Sequence, residues 1–542
     1  MSKNSLTNIY LYGPSGSGKS TVGRILASQL ALPFTDLDEH IVSAAQKSVA
    51  EIFASEGEAG FRVRESVALK EMASARTQVI ALGGGALLSE ANRQLALATG
   101  QVLCFCASLE TLVKRLATDE EERPVLSDLS SGHHPTSSSS GRHQKTDALR
   151  ASLKHLLEVR SAHYASFPIQ LCMDEETPEQ AAWQAQVCLG MFRVTGMGTA
   201  YDVRVLAGGL DRLGLLLRER DLSGTVTLVS DSNVADLYAG RVLESLEAAG
   251  YVATMYVIPA GESFKTIATV QELWSSFLKA GLERSSTVVA LGGGLVGDLA
   301  GFAAATYLRG VRWVGVPTTL LAMVDASLGG KTGADLPQGK NLIGAFHPPA
   351  LVMADPAALS TLPMGELRSG LAEVVKHGVI GDPRLFDLCA AGLETVQTNL
   401  EEVVRRAMAV KIQVIEQDPY EQGRRAALNL GHTLGHALEL ASGYRLRHGE
   451  AVAIGMVAAA QLSERWGEAE PGLARRIADT LSALGLPIEI PPGLDREQIL
   501  AAIGYDKKRR LGKVRLALPV RIGEVRVGVE LKDPEEILPV LY

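Results

Sequence analysis

The chain has 542 residues, 46% of them hydrophobic and 21% charged, with a formal net charge of −8. That length predicts two or three domains, and the composition is that of an ordinary globular protein. The net acidity argues against nucleic acid as a partner, because such binders carry a basic face.

The opening residues run directly into a strand and lack the layout of a signal peptide. The most apolar run, Ser286 to Leu308, contains Asp298 and many glycines, so it reads as a buried strand and helix and not as a membrane span. Cys104, Cys106, Cys172, Cys188 and Cys389 make no CxxC pair, which suggests reduced thiols in a cytoplasmic protein.

In chain order, Asn8 to Tyr12 is an apolar strand. Gly13-Pro-Ser-Gly16-Ser-Gly18-Lys19-Ser20-Thr21 follows it and leads into a helical pattern. This is a complete phosphate-binding loop: glycine N–H groups wrap the phosphates, Lys19 reaches the terminal ones, and the Ser20 hydroxyl can ligate magnesium. A second strand ends in Phe34-Thr-Asp36-Leu-Asp38, carboxylates suited to magnesium and a substrate hydroxyl. Arg62, in Phe61-Arg-Val-Arg-Glu65, can grip a carboxylate bidentately. Gly83-Gly84-Gly85, after the strand Gln78 to Leu82, lets a ligand approach bare backbone.

In this order after a phosphate loop, these patches resemble shikimate kinase over about residues 5–172. The resemblance implies ATP with magnesium. It implies that Asp38, Arg62 and Gly84 contact shikimate, with Asp38 the base for the attacked hydroxyl. Arg123, in Glu-Arg-Pro-Val-Leu, matches the lid arginine that reaches ATP, and Arg160, in Val-Arg-Ser-Ala-His-Tyr164, a second carboxylate-binding arginine. Between them lies a Ser/His-rich segment with His133 and His134. It makes this gap longer than is usual in the family and reads as a flexible lid extension with solvated histidines.

Residues 173–195 are expected as a linker, with Pro178 opening a helix that turns Trp183 and Val187 inward. Strands follow at Tyr201–Val205, Thr225–Ser230, Val252–Ile258 and Thr287–Leu291. The last leads into Gly292-Gly-Gly294-Leu-Val-Gly297-Asp298, whose GxGxxG after a strand and before an apolar helix suits a pyrophosphate, with Asp231 or Glu262 free to hold a ribose. Lys331, Lys376 and Lys411 sit among apolar or glycine neighbours, which fits poorly with a solvated face. From Arg424 to Glu450, His432 and His436 are four residues apart and share a helical face, and His448 follows. Together with Glu373 they predict a divalent-metal site with about three protein ligands and an open position.

This second part resembles 3-dehydroquinate synthase over about residues 196–542. The resemblance assigns zinc (or cobalt) to Glu373, His432 and His448 and sets His436 beside the site without ligating, against the pairing that spacing alone suggests. It places NAD on Asp231, Glu262, Lys265, Gly294, Gly297, Asp298, Thr318, Thr319 and Lys340. Lys331, Asn341, Lys376, Lys411, Arg425 and Asn429 match substrate-handling positions. Arg309 matches a residue offered across a dimer interface, and Lys507 or Lys508 a further phosphate-side lysine.

The implied fold class is α/β. A three-layer kinase domain of the nucleoside-monophosphate-kinase type (1–172) precedes a Rossmann-like NAD-binding half (196–350) and a helical half (351–542). The implied chemistry is phosphorylation of shikimate in the first part. In the second it is conversion of 3-deoxy-D-arabino-heptulosonate 7-phosphate to 3-dehydroquinate and phosphate. Another sugar-phosphate cyclase, a polyol dehydrogenase or one silent half are the alternatives.

Overall fold

The computed structural model divides into two compact units, Met1–Leu189 and Gly190–Tyr542. It describes residues 8–74, 77–118, 139–504, 514–531 and 533–540. Arg123, His133, His134, Lys507 and Lys508 lie outside the described residues. Among those described, no helix is long and apolar enough to cross a membrane.

The first unit carries a parallel sheet ordered β2-β3-β1-β4-β5. The strands are β1 (Asn8–Tyr12), β2 (Phe34–Asp36), β3 (Val79–Ala81), β4 (Gly100–Cys106) and β5 (Ile169–Cys172). Every residue of β1 and β3 is buried, as parallel strands covered on both faces require. β1 lies between β3 and β4, so the strand order reverses there, and the phosphate loop leaves β1 at that crevice.

The stretch expected as a linker, 173–195, is built into the fold instead. The helix Pro178–Leu189 buries Ala181, Ala182, Ala185 and Val187, and its Gln186 Nε2 donates to Gln29 Oε1 at 2.8 Å. Trp183 is half-buried. Met191–Val194 (β6) then pairs antiparallel with Tyr201–Val205 (β7) in the second unit. Each piece has an apolar face that would otherwise meet water, which is why neither is left as a tether.

The second unit's sheet runs β6-β7-β14-β11-β10-β8-β9. Its other strands are β8 (Val226–Asp231), β9 (Ala253–Ile258), β10 (Thr287–Gly292), β11 (Arg312–Pro317) and β14 (Leu351–Ala354), all parallel to their neighbours. Because β14 fills the place between β7 and β11, the α/β part extends past residue 350. The later part is not purely helical either: Val514–Arg521 (β15) and Glu524–Leu531 (β16) form a hairpin. A second hairpin, Lys331–Leu336 (β12) with Gly339–Phe346 (β13), precedes β14.

Three helices of this unit converge through glycine contacts. The helix His448–Arg465 lies so close to Met364–Gly381 that a Cβ on Gly449 would sit 2.1 Å from Ser369 O. Toward its middle, a Cβ on Gly455 would sit 2.0 Å from Gly431 O, at the start of the helix His432–Ala441. Backbone packed this tightly holds the start of the His448 helix against the Glu373 helix, and the start of the His432 helix against the middle of the His448 helix. Gly455→Ala is expected to lower stability by about 1–3 kcal/mol or more and to lower bound metal, read by denaturant unfolding and metal analysis. Gly240→Ala, with open space around it, is the control and should leave both unchanged.

Two candidate active sites

The metal stretch folds as one pocket. Glu373 has no exposed side-chain surface, and the Nε2 atoms of His432 and His448 each stand 3.5 Å from its Oε1. That oxygen accepts no hydrogen bond. The opposite ring nitrogens are already occupied: His432 Nδ1 is 3.1 Å from Leu430 O, and His448 Nδ1 is 3.4 Å from Glu439 Oε2. Two imidazoles thus turn their Nε2 atoms toward one carboxylate while outer acceptors fix their rings, an arrangement that suits histidine ligands around a metal.

The electrostatics agree. Burial pushes the Glu373 carboxyl up, but Lys376, His432 and His448 outweigh it and hold it well below the usual carboxylate range. Burial would likewise depress His448, yet Glu373 and Glu439 raise it from 6.5 to about 10. The two nitrogens with one oxygen suit zinc or a similar ion. His436 is exposed, with its ring 5.3 Å from that of His432, and is close to the set as expected.

Beside the ligands runs a chain of alternating charge. Lys376 contacts Glu373 and donates to Leu428 O at 2.9 Å. Lys411 donates to Asp325 O at 2.6 Å and to its carboxylate at 2.5 Å. Arg425 is buried, donates to Pro419 O, and lies where a Cβ on Gly329 would be 2.7 Å from Nη2.

His448 lines a cleft of about 1970 Å³ whose wall also includes His436, Asn429, Lys331 and Asn341, and Asp231, Glu262, Lys265, Gly294, Asp298, Thr318, Thr319 and Lys340, whereas Glu373, His432, Lys376, Lys411 and Arg425 are not in that wall. Most of the latter follow β8, β9, β10 and β11 at their carboxyl ends, where open parallel sheets bind ligands. Lys265 Nζ is 2.6 Å from both Asp298 Oδ2 and Asn341 Oδ1, and Lys340 Nζ is 3.5 Å from Glu262 Oε1. Gly297, one turn into the helix Gly294–Thr306, is not in the wall. Arg309 is exposed and is not in the wall either.

Three acidic groups at this site were not singled out from the sequence: Glu439 behind His448, Asp325 on Lys411, and Glu421, whose Oε2 accepts from Lys331 at 2.8 Å. Only for Glu439 was a signal available. It lies seven residues after His432 and three after His436, so on a helix it shares their face.

In the first unit, Lys19 Nζ donates to Gly13 O at 2.9 Å and Pro14 O at 2.8 Å, lying over its own loop. Ser20 Oγ donates to Asp36 Oδ2 at 2.6 Å, pairing a hydroxyl with a carboxylate as a magnesium site would. Thr21 is exposed in the first turn of the helix Lys19–Leu30.

The glycine triplet joins this loop to the arginines. A Cβ on Gly83 would lie 2.9 Å from Glu65 Oε1 and 3.3 Å from Asp38 Oδ1, one on Gly84 3.2 Å from Gly13 O, and one on Gly85 2.6 Å from Arg62. Gly84 O accepts from Tyr164 Oη at 2.7 Å and from Arg160 Nη1 at 3.3 Å. Arg62 donates to Glu65 at 2.9 Å and Glu58 at 3.0 Å. Glu65, almost fully buried, is a further participant that the sequence did not mark.

Residues 255–369 match the model of the 3-dehydroquinate synthase N-terminal domain and 370–509 that of its C-terminal domain. The 3-dehydroquinate synthase of Symbiobacterium thermophilum is 49% identical over 344 residues, which are 62% of this chain and 96% of that protein. The chain belongs to the 3-dehydroquinate synthase family. The synthase of a Synechocystis strain is 46% identical over 61% of this chain and 94% of its own. Residues 15–182 match the shikimate kinase model, so the family member carries a shikimate kinase ahead of its synthase part.

Among solved structures, ValA, the 2-epi-5-epi-valiolone synthase of Streptomyces hygroscopicus with NAD+ and Zn2+ bound, covers 65% of this chain and 98% of its own at 31% identity and TM-score 0.58. A 2-deoxy-scyllo-inosose synthase complexed with carbaglucose-6-phosphate, NAD+ and Co2+ covers 64% of this chain and 98% of its own at 28% identity and TM-score 0.59.

Glu439→Gln should lower metal affinity by about 10–100-fold while the fold is retained, as measured by competition with a chromophoric chelator. In the kinase unit, burial lifts the Glu65 carboxyl from 4.5 to about 7 against the pull of Arg62. The folded unit therefore binds this proton more tightly than the unfolded chain. The resulting stability is full below pH 4.5 and is lost as pH rises to about 7, at most about 3 kcal/mol. Glu65→Gln should remove that slope from the kinase unit's unfolding transition.

Proposed function

We propose that this chain phosphorylates shikimate with ATP and magnesium in its first unit. In its second it converts 3-deoxy-D-arabino-heptulosonate 7-phosphate to 3-dehydroquinate and phosphate with NAD+ and a divalent metal. The observation that carries the second activity is the convergence of two imidazole Nε2 atoms on the buried Oε1 of Glu373, one of them from His448, which lines a cleft that also runs along the carboxyl edge of the sheet.

In the kinase unit, chemistry is a matter of positioning and charge neutralisation. Lys19 swings from its loop carbonyls to the transferred phosphate. Ser20 and Asp36 hold magnesium. Asp38 accepts the proton of the attacked hydroxyl, while Arg62 and Arg160 grip the carboxylate on either side of the glycine triplet.

In the synthase unit Glu373, His432 and His448 hold the metal. When bound, the ion supplies Lewis acidity to the substrate hydroxyls and NAD+ a recyclable hydride acceptor. Lys376 and Lys411 stand beside those hydroxyls, and Arg425, Lys331 and Asn341 bind the anionic ends of the substrate. His436 and Asn429 hold protons and hydroxyls at the cleft face of the metal pocket. Asp231, Glu262, Lys265, Thr318, Thr319 and Lys340 seat the dinucleotide. Gly294 and Asp298 support it from the helix start.

The protein acts in the cytoplasm as a homodimer, with Arg309 reaching the partner's cleft. Leu308 and Arg309 support this reading, since both hold positive φ (49° and 68°) on an exposed loop, a strained conformation that a binding role would justify. The related sugar-phosphate cyclases share the fold, but the identity to the dehydroquinate synthases is higher, at 49% against 28% and 31%.

The test is a two-substrate assay on the purified chain. Lys19→Met should cut shikimate-dependent ADP release about 100-fold or more and leave dehydroquinate formation intact. Glu373→Gln should remove bound metal and dehydroquinate formation and leave the kinase intact. Loss of both activities in either folded variant, or a product other than dehydroquinate, would overturn the assignment.

A further inference from the structure

The spacing of the five thiols pairs none of them, but the fold brings two together. Cys106 ends β4 and Cys172 ends β5; the strands run parallel with Cys106 opposite Cys172, and the Sγ atoms are 3.9 Å apart. Neighbouring strands lie about 5 Å apart, within the Cα separation that a disulfide spans. Cys172 is exposed, whereas Cys106 is half-buried and turned to Leu171 O at 3.4 Å. Burial, with Cys172 adding to it, lifts the Cys106 thiol to about 11. Cys172 is therefore the group that meets reagents from solvent first.

Both ends of the phosphate loop rest beside these thiols. A Cβ on Gly13 would lie 2.4 Å from the carbonyl oxygen of Phe105, the residue before Cys106. Met173, the residue after Cys172, donates its N–H to Cys106 O at 2.9 Å, and its methyl group would lie 3.6 Å from a Cβ on Gly18. Arg115 ties the two together, donating to Met173 O at 2.7 Å and to Ser17 O at 3.3 Å.

We propose that Cys106 and Cys172 form a reversible disulfide by exchange with low-molecular-weight disulfides, and that its closure weakens nucleotide binding in the kinase unit. In the first step the Cys172 thiolate attacks one sulfur of the reagent, forming a mixed disulfide and expelling one thiolate. Cys106 then loses its proton to water and attacks the Cys172 sulfur, expelling the second thiolate. Two protein thiols are oxidised by two electrons, and one disulfide is reduced to two thiols. Drawing the sulfurs from 3.9 Å to a bond of about 2.0 Å pulls together the strand ends on which Gly13 and Gly18 lean. The effect on the nucleotide rests on the kinase reading; the disulfide itself does not.

The experiment treats the full chain with oxidised glutathione, maps non-reduced peptides by mass spectrometry, and measures both activities before and after dithiothreitol. The expected result is a peptide pair linked through Cys106 and Cys172, with KM for ATP raised about threefold or more, reversal on reduction, and an unchanged synthase rate. Cys106→Ser should stop at a single glutathione adduct on Cys172. A persistent adduct on Cys172 of the unsubstituted chain without a link would overturn the proposal. So would a link that leaves KM for ATP unchanged, or a parallel fall in synthase rate. If the reduced chain released no ADP with shikimate, the kinase reading would fail, while the mass result would still judge the disulfide.

Discussion

A carboxylate with no exposed surface organises the synthase unit. Leaving an ionised Glu373 unpaired in that interior would cost several kcal/mol, so the surrounding helices must bring positive charge to it. Lys376, one turn further along the same helix, meets one oxygen, and two imidazoles on separate helices face the other. Those imidazoles are fixed in turn by Leu430 O and Glu439, and Lys411 is matched by Asp325. Each group is tolerated because its neighbour is there, and together they form a set of donors that could hold a cation.

That constraint explains the glycines. Helices with ordinary side chains at their crossings keep 8–10 Å between axes. Gly449 and Gly455 let backbone meet backbone, so the ligands at the helix starts reach a carboxylate at a helix middle. The kinase unit uses glycine for a different purpose. Its triplet at 83–85 is crowded by Glu65, the phosphate loop and Arg62 in succession. The triplet at 292–294 opens a helix over the end of β10 instead. Identical tripeptides thus meet different demands, set by what packs against them.

Much of both sites was legible in the chain itself. A phosphate loop is local: strand, turn and helix follow within a few residues, and its chemistry depends on backbone N–H groups and one lysine. The cluster of Glu373, His432 and His448 was legible through histidine spacing and resemblance, and the choice of His448 over His436 came from resemblance alone. Periodicity placed β8, β9 and β10 to within about a residue, because buried parallel strands are nearly continuous apolar runs. It gave no reason to expect β14 beyond residue 350 or a terminal hairpin, since short strands identify themselves only by their partners.

By itself the order of residues determined which groups could do chemistry: the loop lysine, the carboxylates, the cluster of histidines and the glycines that free backbone for anions. Those are properties of single side chains and of short spacings, and they survive without a fold. Only the tertiary structure decided that Glu439 backs His448, that Asp325 matches Lys411, and that Cys106 lies opposite Cys172. Strand order sets the cysteine pair and helix packing the other two, and both depend on long-range burial that no short window of sequence contains.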